Sequence, residues 1–202
     1  MYTYETVEDI VKRSEAEDVS FAEVVLRAEE EYTDMPRQEI MKMIKERIRI
    51  FRDSIQYGLK DKAFSPSGMC GGQSATLMEY PSFLLSPLTK KAMAYAVAVS
   101  EANAKMHTIV ACPTAGSCGI MPGCMIAMEE ELQLTESVLM EGFLVASGIG
   151  NVVMANACIA GAVGGCQAEC GTAVAMTAGA IVSMLGGNAR QIGNGAALAL
   201  KN

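Results

Sequence analysis

The sequence predicts a mostly α-helical fold, a multi-helix core rich in Gly and Ala, and three observations support this. Half of the 202 residues are apolar, yet only five are Phe and none is Trp. Small side chains of this kind suit closely packed helices better than a β core. Residues 1–64 hold 26 of the 39 charged residues, and residues 65–202 hold the other 13. We therefore expect a charged helical segment over 1–64 and a buried helical core over 65–202, together forming one domain.

Capping residues predict where the first three helices begin. Thr6 stands before an acidic first turn, and Ser20 precedes the apolar run that starts at Phe21. Pro36 is expected at the first position of the third helix, where a missing N–H costs nothing. The apolar residues of that helix recur at helical spacing: Ile40, Met43, Ile44, Ile48 and Phe51.

The rest of the chain also has a helical pattern. Pro87 is expected to begin a helix that reaches Met106, and another runs from Met121 through the acidic residues 129–131. Thr135 is the predicted N-cap of a helix that ends at Gly148 and Gly150. The final predicted helices cover 151–163, 167–185 and 188–201. Between these helices, the β-branched residues 108–110 predict a short strand or a buried extended segment.

Charge and composition exclude several functional classes. A net charge of −7, without a basic stripe flanked by aromatics, argues against a nucleic-acid partner. Residues 143–168 carry no charge, which raises the question of a membrane helix. Polar residues interrupt that run and no basic flank sets an orientation, so we expect core helices and no membrane partner. The acidic N-terminus is unlike a signal peptide, and we expect a cytoplasmic protein whose seven cysteines form no disulfide framework.

Three segments share several Gly residues, a Cys and a helical run behind them: Ser65–Gly72, Thr114–Gly119 and Gly161–Gly171. Backbone N–H groups at such helix starts can bind a carboxylate. Alternatively, the glycines serve only tight turns and close helix packing. Both interpretations remain open from the residues alone.

Glu169 is the only charged residue between Phe143 and Gly187. A carboxylate in so apolar a segment is costly to bury unless it is paired, neutralised or near a cation. Cys166 and Cys170 flank it at a four-residue spacing that can share one helical face. Glu169 is thus a candidate for acid/base work, or for supporting a metal ligand or capping a helix. The cysteine spacing does not match a zinc motif and permits an iron–sulfur site without requiring one.

Three motifs carry a family resemblance: Ser-Pro-Ser-Gly-Met-Cys-Gly-Gly at 65–72, Ala-Cys-Pro-Thr-Ala-Gly-Ser-Cys-Gly-Ile-Met-Pro-Gly at 111–123, and Gly-Gly-Cys-Gln-Ala-Glu-Cys-Gly at 164–171. Together they resemble the α chain of iron–sulfur-dependent L-serine dehydratase. The resemblance implies a helical catalytic fold and a [4Fe–4S] cluster. It also implies conversion of L-serine to pyruvate and ammonia without pyridoxal phosphate, an iron polarising the serine hydroxyl for β-elimination. The expected partners are L-serine and a β chain, within a homo- or hetero-oligomer.

The resemblance also implies individual roles. Cys166 matches one of three cluster cysteines, and the family's other two would lie beyond Asn202, so we expect a C-terminally truncated chain that is inactive alone. Glu169 is the acid/base candidate. The residues expected to hold the substrate are Ser65, Ser67, Gly68, Gly71, Gly72, Asn103, Thr114, Ala115 and Gly116. Two alternatives remain: a non-catalytic helical scaffold, and an enzyme with a mononuclear metal site.

Overall fold

The computed structural model describes residues 2–201, and within that range it contains α-helices, one 3₁₀ turn and no strand. The helices are α1 (Val7–Glu17), α2 (Phe21–Thr33), α3 (Arg37–Lys60), α4 (Gln73–Glu79), α5 (Pro87–Ala104), α6 (Ile120–Leu132), α7 (Glu136–Asn156), α8 (Gly161–Gly164), α9 (Cys166–Met184) and α10 (Ala189–Lys201); the 3₁₀ turn is Ala115–Ser117. The predicted mostly α fold is confirmed. Residues 108–110 form no strand and link α5 to the 3₁₀ turn.

Local capping chemistry explains why the first helices begin where they do. The Thr6 hydroxyl accepts a hydrogen bond from the Asp9 N–H, and the Asp9 carboxylate accepts one from the Thr6 N–H at 2.8 Å. This reciprocal pair satisfies two donors that the helix start would leave unpaired. The Ser20 hydroxyl caps α2 in the same way by accepting from the Glu23 N–H. The prediction for α3 is wrong by one position, since that helix begins at Arg37.

The chain divides into two compact units. One contains the described residues up to Glu46 and from Thr135 onward, and the other is Arg47–Leu134. In the first unit, α9 packs against α7 and α10, while α2 packs against α7. In the second unit, α5 packs against α4 and α6. The sequence division at residue 64, which rested on charge, stays a prediction.

Glycines inside α7 correct one prediction. Gly148 and Gly150 were expected to end this helix, yet it continues to Asn156. A Cβ on Gly148 would collide with the Val25 side chain of α2, and one on Gly150 would lie 3.0 Å from the Met176 sulfur of α9. The glycines therefore let two helices approach α7 closely. The predicted helix over 151–163 is wrong as well, because α7 ends within it and α8 begins at Gly161.

Among the described residues, one helix is long and apolar enough to cross a membrane by length and composition alone, and it is α7. A single helix of this kind is weak evidence, because core helices of globular proteins have the same character. Leu139, Val145 and Ile149 of α7 are fully buried within the structure. The expected role as a core helix accounts for its composition.

Close backbone contacts surround α5 in the second unit. A Cβ on Gly58 of α3 would lie 2.5 Å from the carbonyl carbon of Ala98, and one on Gly123 of α6 would lie 2.6 Å from the Ala96 nitrogen. Real Cβ atoms do not approach backbone atoms this closely. The same unit holds a bidentate ion pair in which Arg52 donates to both carboxylate oxygens of Glu129, at 2.6 and 2.7 Å. Small residues thus allow α3 and α6 to contact the α5 backbone.

We expect Gly58→Ala to destabilise the protein by about 2–3 kcal/mol, since the added methyl would overpack against backbone atoms. Gly171→Ala is the matched control, because its Cβ would first meet the movable end of Gln167 at 3.2 Å. Alanine favours a helix over glycine by about 1 kcal/mol, so the control should be neutral or stabilising. Urea unfolding of both variants measures the difference. Equal stabilities would contradict the close contact at Gly58.

Candidate functional site

Three residues at the C-terminal end of α5 hold the two motif-bearing segments of the second unit. We call residues 61–72 the first loop and residues 107–119 the second loop. Lys105 binds the start of the first loop, Glu101 binds the first turn of α4 directly after that loop, and Asn103 binds the second loop. Because they are placed by one rigid helix, both loops are fixed to a single support.

Glu101 is a buried carboxylate, with 2% of the residue exposed. One of its oxygens accepts from the Gln73 N–H at 2.7 Å, and the other accepts from the Ser74 hydroxyl at 2.7 Å. These bonds fix the first turn of α4, immediately after the first loop. Sequence reasoning missed this residue, although a signal exists: Glu101 is the only charge between Lys91 and Lys105. The same argument singled out Glu169.

Lys105 fixes the start of the first loop. Its ammonium donates to the Asp61 carbonyl oxygen at 2.5 Å and lies 3.5 Å from the Asp61 carboxylate. The Lys105 side chain is only 5% exposed, so this pair is better shielded from solvent than most surface ion pairs. Hydrogen bonds from the Ala63 N–H and then the Tyr57 hydroxyl, with Lys105 nearby, hold the pKa of Asp61 below its usual range.

The first loop is closed by its own polar groups. The Ser65 N–H donates to the Cys70 carbonyl at 2.8 Å, and the Ser65 and Ser67 hydroxyls lie 3.0 Å apart. Ser65 is buried, whereas Ser67 is exposed. Gly68 and Gly72 both have φ values in the left-handed region, +72° and +80°, which a side chain would strain. The loop therefore presents an exposed hydroxyl on a turn that glycine makes possible.

The second loop turns at a cis peptide bond between Cys112 and Pro113. The buried Ser117 hydroxyl lies 3.1 Å from the Cys112 carbonyl and 3.2 Å from the Thr114 hydroxyl. Asn103 donates its side-chain N–H to the Ala115 carbonyl at 3.2 Å. The structure thus brings together two predicted substrate residues, Asn103 and Ala115.

The remaining predicted substrate residues lie in the same unit, and their roles stay predictions. In the first loop these are Ser65, Ser67, Gly68, Gly71 and Gly72; in the second they are Thr114 and Gly116. Ala115 and Gly116 are exposed, Thr114 is half-buried, and Gly72 is buried. Gly71 has a packing reason as well, because its Cβ would lie 2.5 Å from the Ala63 carbonyl oxygen.

Glu169 and Cys166 belong to the other unit, near the start of α9. The glycine-rich segment 161–171 is not a loop, since α8 and α9 occupy nearly all of it. Cys166 and Cys170 do share one helical face, with their sulfurs 3.5 Å apart. The Glu169 carboxylate lies against Gly161, where a Cβ would be 2.6 Å from its nearer oxygen. Burial first, then the neighbouring Cys166 and Glu169, raises the pKa of Cys170.

Three other cysteines are shielded from solvent to different degrees: Cys112 and Cys118 are buried and Cys124 is half-buried. Burial raises the pKa of Cys112 to about 12 and that of Cys118 to about 11, and it also raises the pKa of Cys124. His107, the lone histidine, stacks on Tyr57 with ring centroids 4.0 Å apart. This contact gives His107 a structural role in packing.

The described residues do not by themselves fit a four-iron cluster. Such a cluster needs three or four convergent thiolates. Within residues 2–201 no group of three or more His, Cys, Asp or Glu side chains is arranged to hold a metal. Among the cysteines that the structure describes, Cys166 and Cys170 have sulfurs in contact, 3.5 Å apart. Any cluster would therefore need thiolates besides those that the described residues bring together.

Comparison with known proteins gives a consistent result. The family described as "Serine dehydratase alpha chain" matches residues 16–202. The probable L-serine dehydratase α chain of Bacillus subtilis is 35% identical over 202 residues, covering 98% of this chain and 67% of that protein. The L-serine dehydratase α chain of Peptoniphilus asaccharolyticus is 36% identical over 200 residues, covering 98% and 68%.

A more distant relative is a longer protein. L-serine dehydratase 2 of Escherichia coli is 26% identical over 209 residues, which cover all of this chain and 46% of that protein. The match with the α chains is stronger and extends over both compact units. With the three motifs placed at the two loops and the start of α9, the chain belongs to the serine dehydratase alpha chain family.

Proposed function

We propose that this chain is the α subunit of an L-serine ammonia-lyase, which converts L-serine to pyruvate and ammonia. The structural observation that supports this most directly is the attachment of both motif-bearing loops to α5. Glu101 binds the helical turn that directly follows the first loop, and Asn103, two residues further along, binds the second loop. A fixed pair of polar, glycine-rich loops suits the orientation of a small polar substrate, for which positioning alone can supply much of the rate enhancement.

The first loop is proposed to bind the carboxylate of serine. Ser67 presents an exposed hydroxyl that lies 3.0 Å from the Ser65 hydroxyl, so the two can act as a relay of donors. The glycines at 68, 71 and 72 leave the backbone accessible to a small anion. Thr114 with its neighbours in the second loop is proposed to orient the remaining polar groups of the substrate.

The reaction balances as an elimination followed by hydrolysis. A base removes the α-proton of serine, the β-hydroxyl takes up a proton from a general acid and leaves as water, and the aminoacrylate tautomerises to an imine. Water then hydrolyses the imine to pyruvate and ammonia. Glu169 remains the candidate for acid/base work, because carboxylates are among the side chains that serve as general acids and bases.

Iron–sulfur dependence, without pyridoxal phosphate, is part of the proposal and rests on the motifs. Cys166 is proposed as this chain's cluster ligand, because it matches a cluster cysteine of the resembled family; it lies exposed at the first position of α9. The cluster would need further thiolates, because the described residues bring together no group of three or more metal-binding side chains. A β chain as partner, an oligomeric enzyme and a cytoplasmic location complete the proposal.

The proposal is tested by producing the chain anaerobically with its β chain, both as the 202-residue chain and extended past Asn202 with the family's further cluster cysteines, and measuring iron, acid-labile sulfide and pyruvate formation. We expect only the extended form to turn over L-serine, and Cys166→Ser in that form to lose turnover together with iron and sulfide. Metal without sulfide would instead support a mononuclear metal enzyme. An extended form free of iron and inert toward serine would overturn the proposal and favour a helical scaffold.

Asn103→Ala tests the second loop. Losing one hydrogen bond costs about 0.5–1.5 kcal/mol, which should appear as a roughly two- to tenfold rise in KM for L-serine. Asn156→Ala is the matched control, because Asn156 also donates to a backbone carbonyl, that of Glu5 at 2.9 Å, in the other unit. Steady-state kinetics of the assembled enzyme provide the measurement. The same KM in both variants and in the unchanged enzyme would remove Asn103 from the substrate site.

Glu101→Ala tests the support of the first loop. It removes the partner of the Gln73 N–H and leaves the Ser74 hydroxyl with only the Gly58 carbonyl at 3.1 Å, at a cost of about 1–3 kcal/mol. Glu101→Gln should recover most of this loss, since an amide oxygen accepts from Gln73 while its NH₂ donates to Ser74. Glu79→Ala is the control at an exposed ion pair with Lys62.

Two measurements distinguish positioning from simple stabilisation. Urea unfolding gives the stability change, and kinetics at a temperature where every variant stays folded give KM and kcat. We expect Glu101→Ala to raise KM for serine while Glu101→Gln keeps it near the original value. Destabilisation with an unaltered KM would show that Glu101 supports the fold and not the substrate loop.

A further inference from the structure

We propose that Cys166 and Cys170 form a two-thiol site that binds one soft divalent cation, of the class of zinc or cadmium. The proposal goes beyond the dehydratase activity, and it does not depend on it. It follows from the contact between two sulfurs at the exposed start of α9, one belonging to a predicted cluster ligand and the other having no assigned role.

The geometry suits a single metal ion. The residues are four apart on α9, one above the other on the same face. Their sulfurs are 3.5 Å apart, and thiolate sulfur lies about 2.3 Å from zinc, so the two sulfurs would subtend about 100° at the metal. This angle is close to the tetrahedral value that zinc adopts. Only small rotations of the side chains are needed.

The short distance between the two sulfurs also distinguishes this site from a four-iron cluster site. Each iron of such a cluster takes its own cysteine thiolate, so ligands of one cluster stand apart from one another. Two sulfurs in contact converge on one ion. The pair therefore competes with a cluster for Cys166, and Cys170 is the residue that makes the competing site possible.

The surroundings leave the site open. Cys166 is exposed and Cys170 is half-buried, which gives a metal ion direct access from solvent. The Glu169 carboxylate, between them in sequence, is turned toward Gly161 of α8. The metal ion would have two protein ligands, with water in its remaining coordination positions. Such a site is labile, unlike the closed four-ligand sites of structural zinc.

Cadmium titration of the reduced 202-residue chain under anaerobic conditions tests the proposal. The cadmium–thiolate charge-transfer absorbance should saturate at one ion per chain. Cys166→Ser and Cys170→Ser should each weaken binding by about tenfold or more, since even the loss of a supporting group costs that much at metal sites. Cys158→Ser is the matched control, an exposed cysteine of the same unit, and should leave binding unaltered.

Thiol protection provides a second measurement that needs no variant to fold. One equivalent of cadmium should shield Cys166 and Cys170 from alkylation, while Cys158 stays reactive, as read by peptide mass spectrometry. Tight binding by Cys170→Ser, or equal alkylation of Cys166 and Cys158 with cadmium present, would overturn the proposal. Neither measurement involves serine turnover, so failure of the dehydratase proposal would leave this result interpretable.

Discussion

The close approach of glycine-bearing helices to the backbone of α5 is the constraint on which the second unit depends. Gly58 of α3 faces Ala98, and Gly123 of α6 faces Ala96, at separations that admit no Cβ. Packing of this kind fixes α5 along most of its length, because backbone atoms cannot shift as a long side chain can. Because α5 is held in place, Glu101, Asn103 and Lys105 at its C-terminal end are held in place as well. The Gly- and Ala-rich composition therefore serves the site through the packing that it permits.

Electrostatics then connect this rigid helix to the loops. Glu101 and Lys105 carry opposite charges and are both shielded from solvent. Lys105 binds Asp61 at the start of the first loop, and Glu101 binds the first turn of α4 directly after the loop. Buried polar groups are costly unless they are satisfied, so each of these contacts strongly favours one loop position. Asn103, between them, adds a neutral hydrogen bond to the second loop. Three alternating residues of one helix end thus determine where the family's serine- and threonine-bearing segments lie.

The start of α9 differs from the α5 region in the chemistry of its side chains. Here the notable groups are thiols in contact, accessible to solvent and next to a single carboxylate in an apolar stretch. Burial raises the pKa values of Cys112, Cys118 and Cys124, whereas Cys166 is exposed and its sulfur is in contact with that of the half-buried Cys170. In the proposed enzyme, the Cys166 thiol must be free to bind the cluster. A metal ion bound by Cys166 and Cys170 together would occupy that ligand.

Local chemistry in the sequence determined the helical fold, the capped helix starts at Thr6 and Ser20, and the motifs that mark the family, because these depend on neighbours a few residues apart. The pairing of Cys166 with Cys170 on one helical face was equally readable, since the helical repeat fixes it. Only the tertiary structure decided that Gly148 and Gly150 lie inside α7, because their effect depends on Val25 and Met176 from other helices. It alone revealed Glu101 as the support of the first loop. A carboxylate's role is set by which donors the fold brings to it, and Gln73 and Ser74 are 28 and 27 residues away along the chain.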